Sequence, residues 1–108
     1  MEIINYKKLP IKENPHNVDV RILFKSENIQ MLHITLKPGE FIPKHSVEFS
    51  SLFYVLEGTG IASIGHEDIS VTNDSLVECP SNTLRGWRNS SDKPLRILVS
   101  KLPVDFIR

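Results

Sequence analysis

The chain has 108 residues, room for one domain with a single modest core and no more. Apolar residues make up 40% and charged residues 24%, as in an ordinary soluble globular protein. The 13 basic residues offset 13 acidic ones and are scattered, with Lys7 and Lys8 the one adjacent pair; this excludes a strongly basic face for nucleic acid or an anionic membrane.

Cys79 is the single cysteine, so an intrachain disulfide is excluded and a reducing compartment is expected. The opening MEIINYKKLPIKENP lacks the apolar run of a secretory signal, and no stretch approaches the length of a membrane span. The expectation is a cytoplasmic protein.

Residues 1–17 carry Pro10 and Pro15 with polar spacing and read as an irregular arm, with room for a short edge strand at Ile3–Tyr6. From residue 18 onward the apolar period is two rather than 3.6. VDVRILF (Val18–Phe24) and IQMLHITL (Ile29–Leu36) predict two strands joined by a turn at SEN. KPGE is a turn signal, FIPKHSVEF continues extended, and LFYVLEG is an apolar strand closed by Gly58. GIASIGHEDISV predicts a hairpin with IGHED at its tip. After the turn TNDS, LVEC runs into Pro80, and PLRILVSKL is the final strand. Short strands broken by turns at this spacing predict an all-β sandwich or barrel, and no helix longer than one turn is expected.

Two segments carry a more specific pattern. In PGEFIPKHSVEFSSLFYVLEGTG, Gly39 is followed after a gap of five residues by His45, and Val47, Ser51 and Gly58 follow at fixed intervals. In DSLVECPSNTLRGWRN the fixed positions are Asp74, Pro80, Asn82, Arg85 and Asn89. In spacing these resemble the two motifs of the cupins, G-x5-H-x-H-x(3,4)-E-x6-G and G-x5-P-x-G-x2-H-x3-N, and the resemblance extends over residues 18–102. It implies an antiparallel β-barrel of the double-stranded β-helix, or jelly-roll, type over residues 18–108, preceded by the arm. Cupins include oxygenases, isomerases, epimerases, decarboxylases, storage proteins and sensors, so the resemblance implies a fold and not an activity.

In metal-binding cupins three histidines and a glutamate converge on iron, manganese, nickel, zinc or copper. The matching positions here are His45, Val47, Ser51 and Arg85, so one ligand of the set is present. Valine has no donor, serine is a poor neutral ligand, and a guanidinium has no lone pair and repels a cation. The expectation is no cofactor. The alternative is a divalent transition metal on a rebuilt set, His45 and Cys79 with Glu48 or His33 as a third ligand; against it, Cys79 reads as a small buried hydrophobe.

If the motif residues point inward as in the family, His45, Val47, Ser51, Phe53, Val55, Arg85, Trp87 and Asn89 line a small-molecule pocket. Arg85 then stands where a metal ligand would, as an anchor for a small anion; in the competing reading it swings to the mouth and pairs with Glu40 or Glu48. As a neutral imidazole, His45 would be the one acid–base candidate, or else a hydrogen-bonded relic. Trp87 either stacks on a ligand ring or fills the barrel. His66 reads as a solvated turn residue, and nothing in the sequence assigns a role to His16. Gly39, Gly58 and Gly60 are expected at turns with unusual backbone angles.

Three functions compete: a metal-independent protein binding a small, anionic organic molecule; a metal-dependent dioxygenase or isomerase; and a non-catalytic sensor module. By the resemblance a homodimer is expected, with the outer sheet residues Tyr54 and Leu56 in its interface.

Overall fold

A computed structural model describes residues 1–103; the end of the expected domain, 104–108, lies outside the described residues. The architecture is all-β. Nine strands are described: β1 (Asp19–Lys25), β2 (Gln30–Leu36), β3 (Phe41–His45), β4 (Ser50–Glu57), β5 (Thr59–Ile64), β6 (Glu67–Thr72), β7 (Leu76–Cys79), β8 (Arg85–Arg88) and β9 (Leu95–Leu102). They form a sheet of order β1-β2-β9-β4-β7 and a second of order β3-β8-β5-β6, antiparallel throughout. Among the described residues no helix is long and apolar enough to cross a membrane.

The period-two pattern sets which residues face inward. Leu32, Ile34 and Leu36 of β2, Phe53 and Val55 of β4, and Leu95, Ile97 and Val99 of β9 are all buried. Ile42, Ala62 and Trp87 close the core from the second sheet; Trp87 pairs in register with both Ile42 and Ala62. Burying a side chain of this size is worth about 1.5–3 kcal/mol, so this inner layer is the main source of stability.

The arm differs from expectation. Ile3–Tyr6 forms no strand; Tyr6–Lys8 is a single 3-10 turn. The Oδ1 of Asn5 accepts the Lys7 N–H at 3.0 Å and caps that turn. The Tyr6 ring is drawn onto the outer sheet face, stacked on His33 with centroids 3.7 Å apart and flanked by the guanidinium groups of Arg21 and Arg96. Cation–π contacts of this kind are worth about 0.5–1 kcal/mol each at exposed sites, and they hold the arm against the sheet without a ladder.

Gly39 and Gly58 have φ of +86° and +91°. Gly60 does not; it is required because a Cβ there would strike the Leu95 side chain. Two positions where the family motif has glycine hold Asp74 and Asn82, and both keep the left-handed backbone, at φ 67° and 56°. Asp and Asn are the residues besides glycine that tolerate it best.

Candidate functional site

Between the sheets lies a cavity of about 200 Å³ with a mostly apolar lining. Val20, Leu32, Ile34, Ile42, Phe53, Trp87 and Val99 make its floor and walls. The rings of Phe53 and Trp87 sit 5.4 Å apart at a tilt. Its polar lining is Lys12, His16, His45, Arg85 and Lys101 with the neutral Asn14 and Ser51, and no Asp or Glu is among the lining residues.

Arg85 is 3% exposed and stays inside the barrel. Its Nη1 donates to Ser51 Oγ at 2.7 Å, its Nη2 to the Pro80 carbonyl at 2.7 Å and its Nε to the Thr83 carbonyl at 3.2 Å. All three acceptors are neutral, and among the described residues no carboxylate pairs with it. The alternative that Arg85 swings out to Glu40 or Glu48 is therefore not what the structure shows. Burial pushes the guanidinium down from its usual value, yet arginine remains charged at neutral pH. A guanidinium has five N–H groups, and these contacts use three.

Ser51 stands at the family glutamate position and Arg85 at a histidine position, so the two replacements are hydrogen-bonded to each other. His45 is Arg85's cross-strand neighbour on β3 but lies at the exposed mouth of the cavity. Its Nδ1 is 3.0 Å from the Pro43 carbonyl. A carbonyl only accepts, so Nδ1 carries a hydrogen. Strand β3 reaches this position through a bulge: Pro43 and Lys44 stand opposite the single residue Gly86. A Cβ on Gly86 would come within 2.7 Å of the Ile42 carbonyl oxygen and 2.9 Å of the Lys44 nitrogen.

Val47 and Phe53 line the cavity as the motif positions imply. Asn89 does not. It is fully buried, with Nδ2 donating to the carbonyls of Leu36 and Lys93 at 2.9 and 2.7 Å and Oδ1 accepting from Ser91. Its amide holds a loop together, because carbonyls buried there need a donor. Cys79 is also fully buried and outside the cavity lining. Burial pushes its thiol up, against a smaller opposite pull from Arg85, so it is protonated at neutral pH. His33 sits on the outer face, its Nε2 accepting from Arg96 Nε at 3.1 Å, and cannot serve the interior.

The donor set does not fit a metal at the family position. Among the described residues no three His, Cys, Asp or Glu side chains converge. A cation there would meet the Arg85 guanidinium, the neutral Ser51 hydroxyl and Val47, which has no donor.

Three basic residues of the lining were not among those expected from the sequence. Lys12 and His16 come from the arm. The side chain of Asn14 shapes that arm: Nδ2 donates to the Lys12 and Val18 carbonyls, and Oδ1 accepts from the backbone N–H of His16 and Val18. The His16 ring ends 5.7 Å from that of His45. The pair Asn14–Pro15, a turn-initiating sequence, was the available signal. Lys101 was legible in the alternation of β9, which puts it on the inward face with Leu95, Ile97 and Val99.

Two antiparallel sheets closing on a side-chain-lined cavity define a jelly-roll barrel with an internal cavity. The Cupin domain family model matches residues 32–101, and the chain belongs to the cupin family. Among solved structures, it is similar to TT1209 from Thermus thermophilus, at 29% identity and TM-score 0.82 over 95% of this chain and 98% of that one. A predicted oxalate decarboxylase from Thermotoga maritima (16% identity, TM-score 0.85, 94% and 99% covered) and the polyketide cyclase RemF from Streptomyces resistomycificus (18%, 0.84, 94% and 79%) share the fold. A curated relative, 5-nitrosalicylic acid 1,2-dioxygenase from Bradyrhizobium sp, is 30% identical over 64 residues, 59% of this chain and 29% of that protein. The chain thus matches under a third of that relative's length.

Proposed function

We propose that this cupin binds a small organic anion with an apolar body, without a metal at the family position. One observation carries the reading: Arg85, a buried cation with only neutral partners among the described residues, lines an apolar cavity that has no acidic residue in its lining. An unpaired charge in such surroundings is unfavourable, and a ligand carboxylate would relieve it through the two N–H groups that these contacts leave over. Phe53 and Trp87 would pack the ligand body. At the mouth, the Nε2 of His45 would accept a hydrogen bond or a proton from a bound acid.

Trp87 is the chain's single tryptophan and lines the cavity, so its fluorescence reports occupancy. Benzoate is expected to give a saturable change, and benzyl alcohol, its neutral counterpart, none. Arg85→Ala is expected to abolish the difference. Equal responses to both compounds, or no response to either, would sink the reading.

The local similarity to a dioxygenase supports a second, metal-dependent reading. Elemental analysis of protein purified without a metal-affinity tag separates the two. Near-stoichiometric transition metal would favour the second reading, and metal-free protein that acquires none on addition would favour the first.

A further inference from the structure

Lys101 occupies an inward position on β9, an unusual place for a lysine. It stands directly opposite Ser51 in the β4–β9 register, and Ser51 is the residue that Arg85 holds at 2.7 Å. The two residues that carry these cations are therefore both direct neighbours of Ser51. The Nζ of Lys101 lies 4.8 Å from the Phe49 ring centroid, and among the described residues no carboxylate pairs with it. Burial lowers its pKa from the usual lysine value, and repulsion from Lys12, Arg85 and Lys25 adds to that. Lys12 reaches the same cavity from the arm, which is pinned there by its own N–H donating to the Val20 carbonyl at 2.7 Å. The result is that Lys12, Arg85 and Lys101 line one cavity, with no acidic residue in its lining to offset them.

We infer that the cavity takes a dianionic head group, held between Arg85 and Lys101 across Ser51 and covered by Lys12. This rests on the anion-binding reading and adds the ligand's charge. A single carboxylate engages Arg85 fully and leaves Lys101 unmatched. A compact group bearing two negative charges, a phosphate monoester or a vicinal dicarboxylate on an apolar body, satisfies both.

The test titrates the wild-type chain, Lys101→Met and Lys101→Arg with benzoate, phthalate and phenyl phosphate, above neutral pH so that both larger probes are dianions. At least one dianion is expected to bind wild type about tenfold tighter than benzoate, the size of one charge-assisted hydrogen bond. Which one it is separates a dicarboxylate ligand from a phosphoryl ligand. Lys101→Met is expected to remove the preference while still binding benzoate, which also shows that the variant is folded; Lys101→Arg is expected to keep it. Benzoate binding as well as both dianions, or a preference that survives in Lys101→Met, would overturn the inference and leave the anion-binding reading standing. Failure of all three probes on wild type would bring down both.

Discussion

His33 shows how one side chain couples the arm to the sheet. It is 2% exposed, stacked under Tyr6, and accepts from Arg96. Burial first, and then the charge of Arg96, lower its pKa to about 4, with Asp19 acting weakly the other way and Arg21 adding to the lowering. The folded state thus holds His33 neutral where the unfolded chain, near the ordinary value of about 6.5, takes up a proton. Its stabilising effect is complete above about pH 6.5 and is lost as the pH falls toward 4. Unfolding free energies from urea titrations at pH 7 and pH 5 are expected to differ by about 1–2 kcal/mol in wild type, and by clearly less in His33→Gln, which cannot be charged. An equal drop in both would show that His33 is not the group responsible. Alternation beside Leu32 and Ile34 points His33 outward. What the sequence does not reveal is its cover, which comes from Tyr6, far away in the chain.

At the scale of elements, spacing carried more information than residue identity. The motif intervals place Ser51, Phe53, Val55, Arg85 and Trp87 inward, and all are buried. They also preserve left-handed turns at Asp74 and Asn82 without glycine. Spacing records backbone geometry, which the substitutions respect. It does not record what a side chain does once inside: the motif position of Asn89 implies a pocket residue, whereas the side chain ties Leu36 to Lys93. The β3 bulge is the element on which the cavity mouth depends. Gly86→Ala would drive a methyl group against the backbone of Ile42–Lys44 and shift β3, His45 with it. A loss of about 1–3 kcal/mol is expected by chemical denaturation, together with weakened benzoate binding. An alanine variant of unchanged stability would mean that β3 yields freely and does not fix the mouth.

At the scale of the molecule, the outer face of the larger sheet carries an apolar patch beside β7. Tyr54 pairs in register with Leu76 on one side and Leu98 on the other, and Tyr54 and Leu76 are exposed. Strand β7, short and at the sheet edge, lies beside this patch. We expect a second copy of the chain to cover both, as exposed apolar patches and unpaired edges favour. Light scattering after size exclusion is expected to give a dimer at micromolar concentration and a monomer for Leu76→Glu. A monomeric wild-type chain would refute it.

Strand order has a consequence for how the protein comes into being. Strand β9 is the last of the described strands to be synthesised, yet it lies at the centre of its sheet, between β2 and β4. During translation its two neighbours must wait with unpaired edges until residue 102 clears the ribosome, and such distant pairing is slow. The Ser51, Pro80 and Thr83 partners of Arg85 already exist by then, but Lys101 does not. A ligand of the proposed site would therefore find its setting complete only once β9 is in place, and would act by prolonging the life of the folded barrel rather than by helping it form.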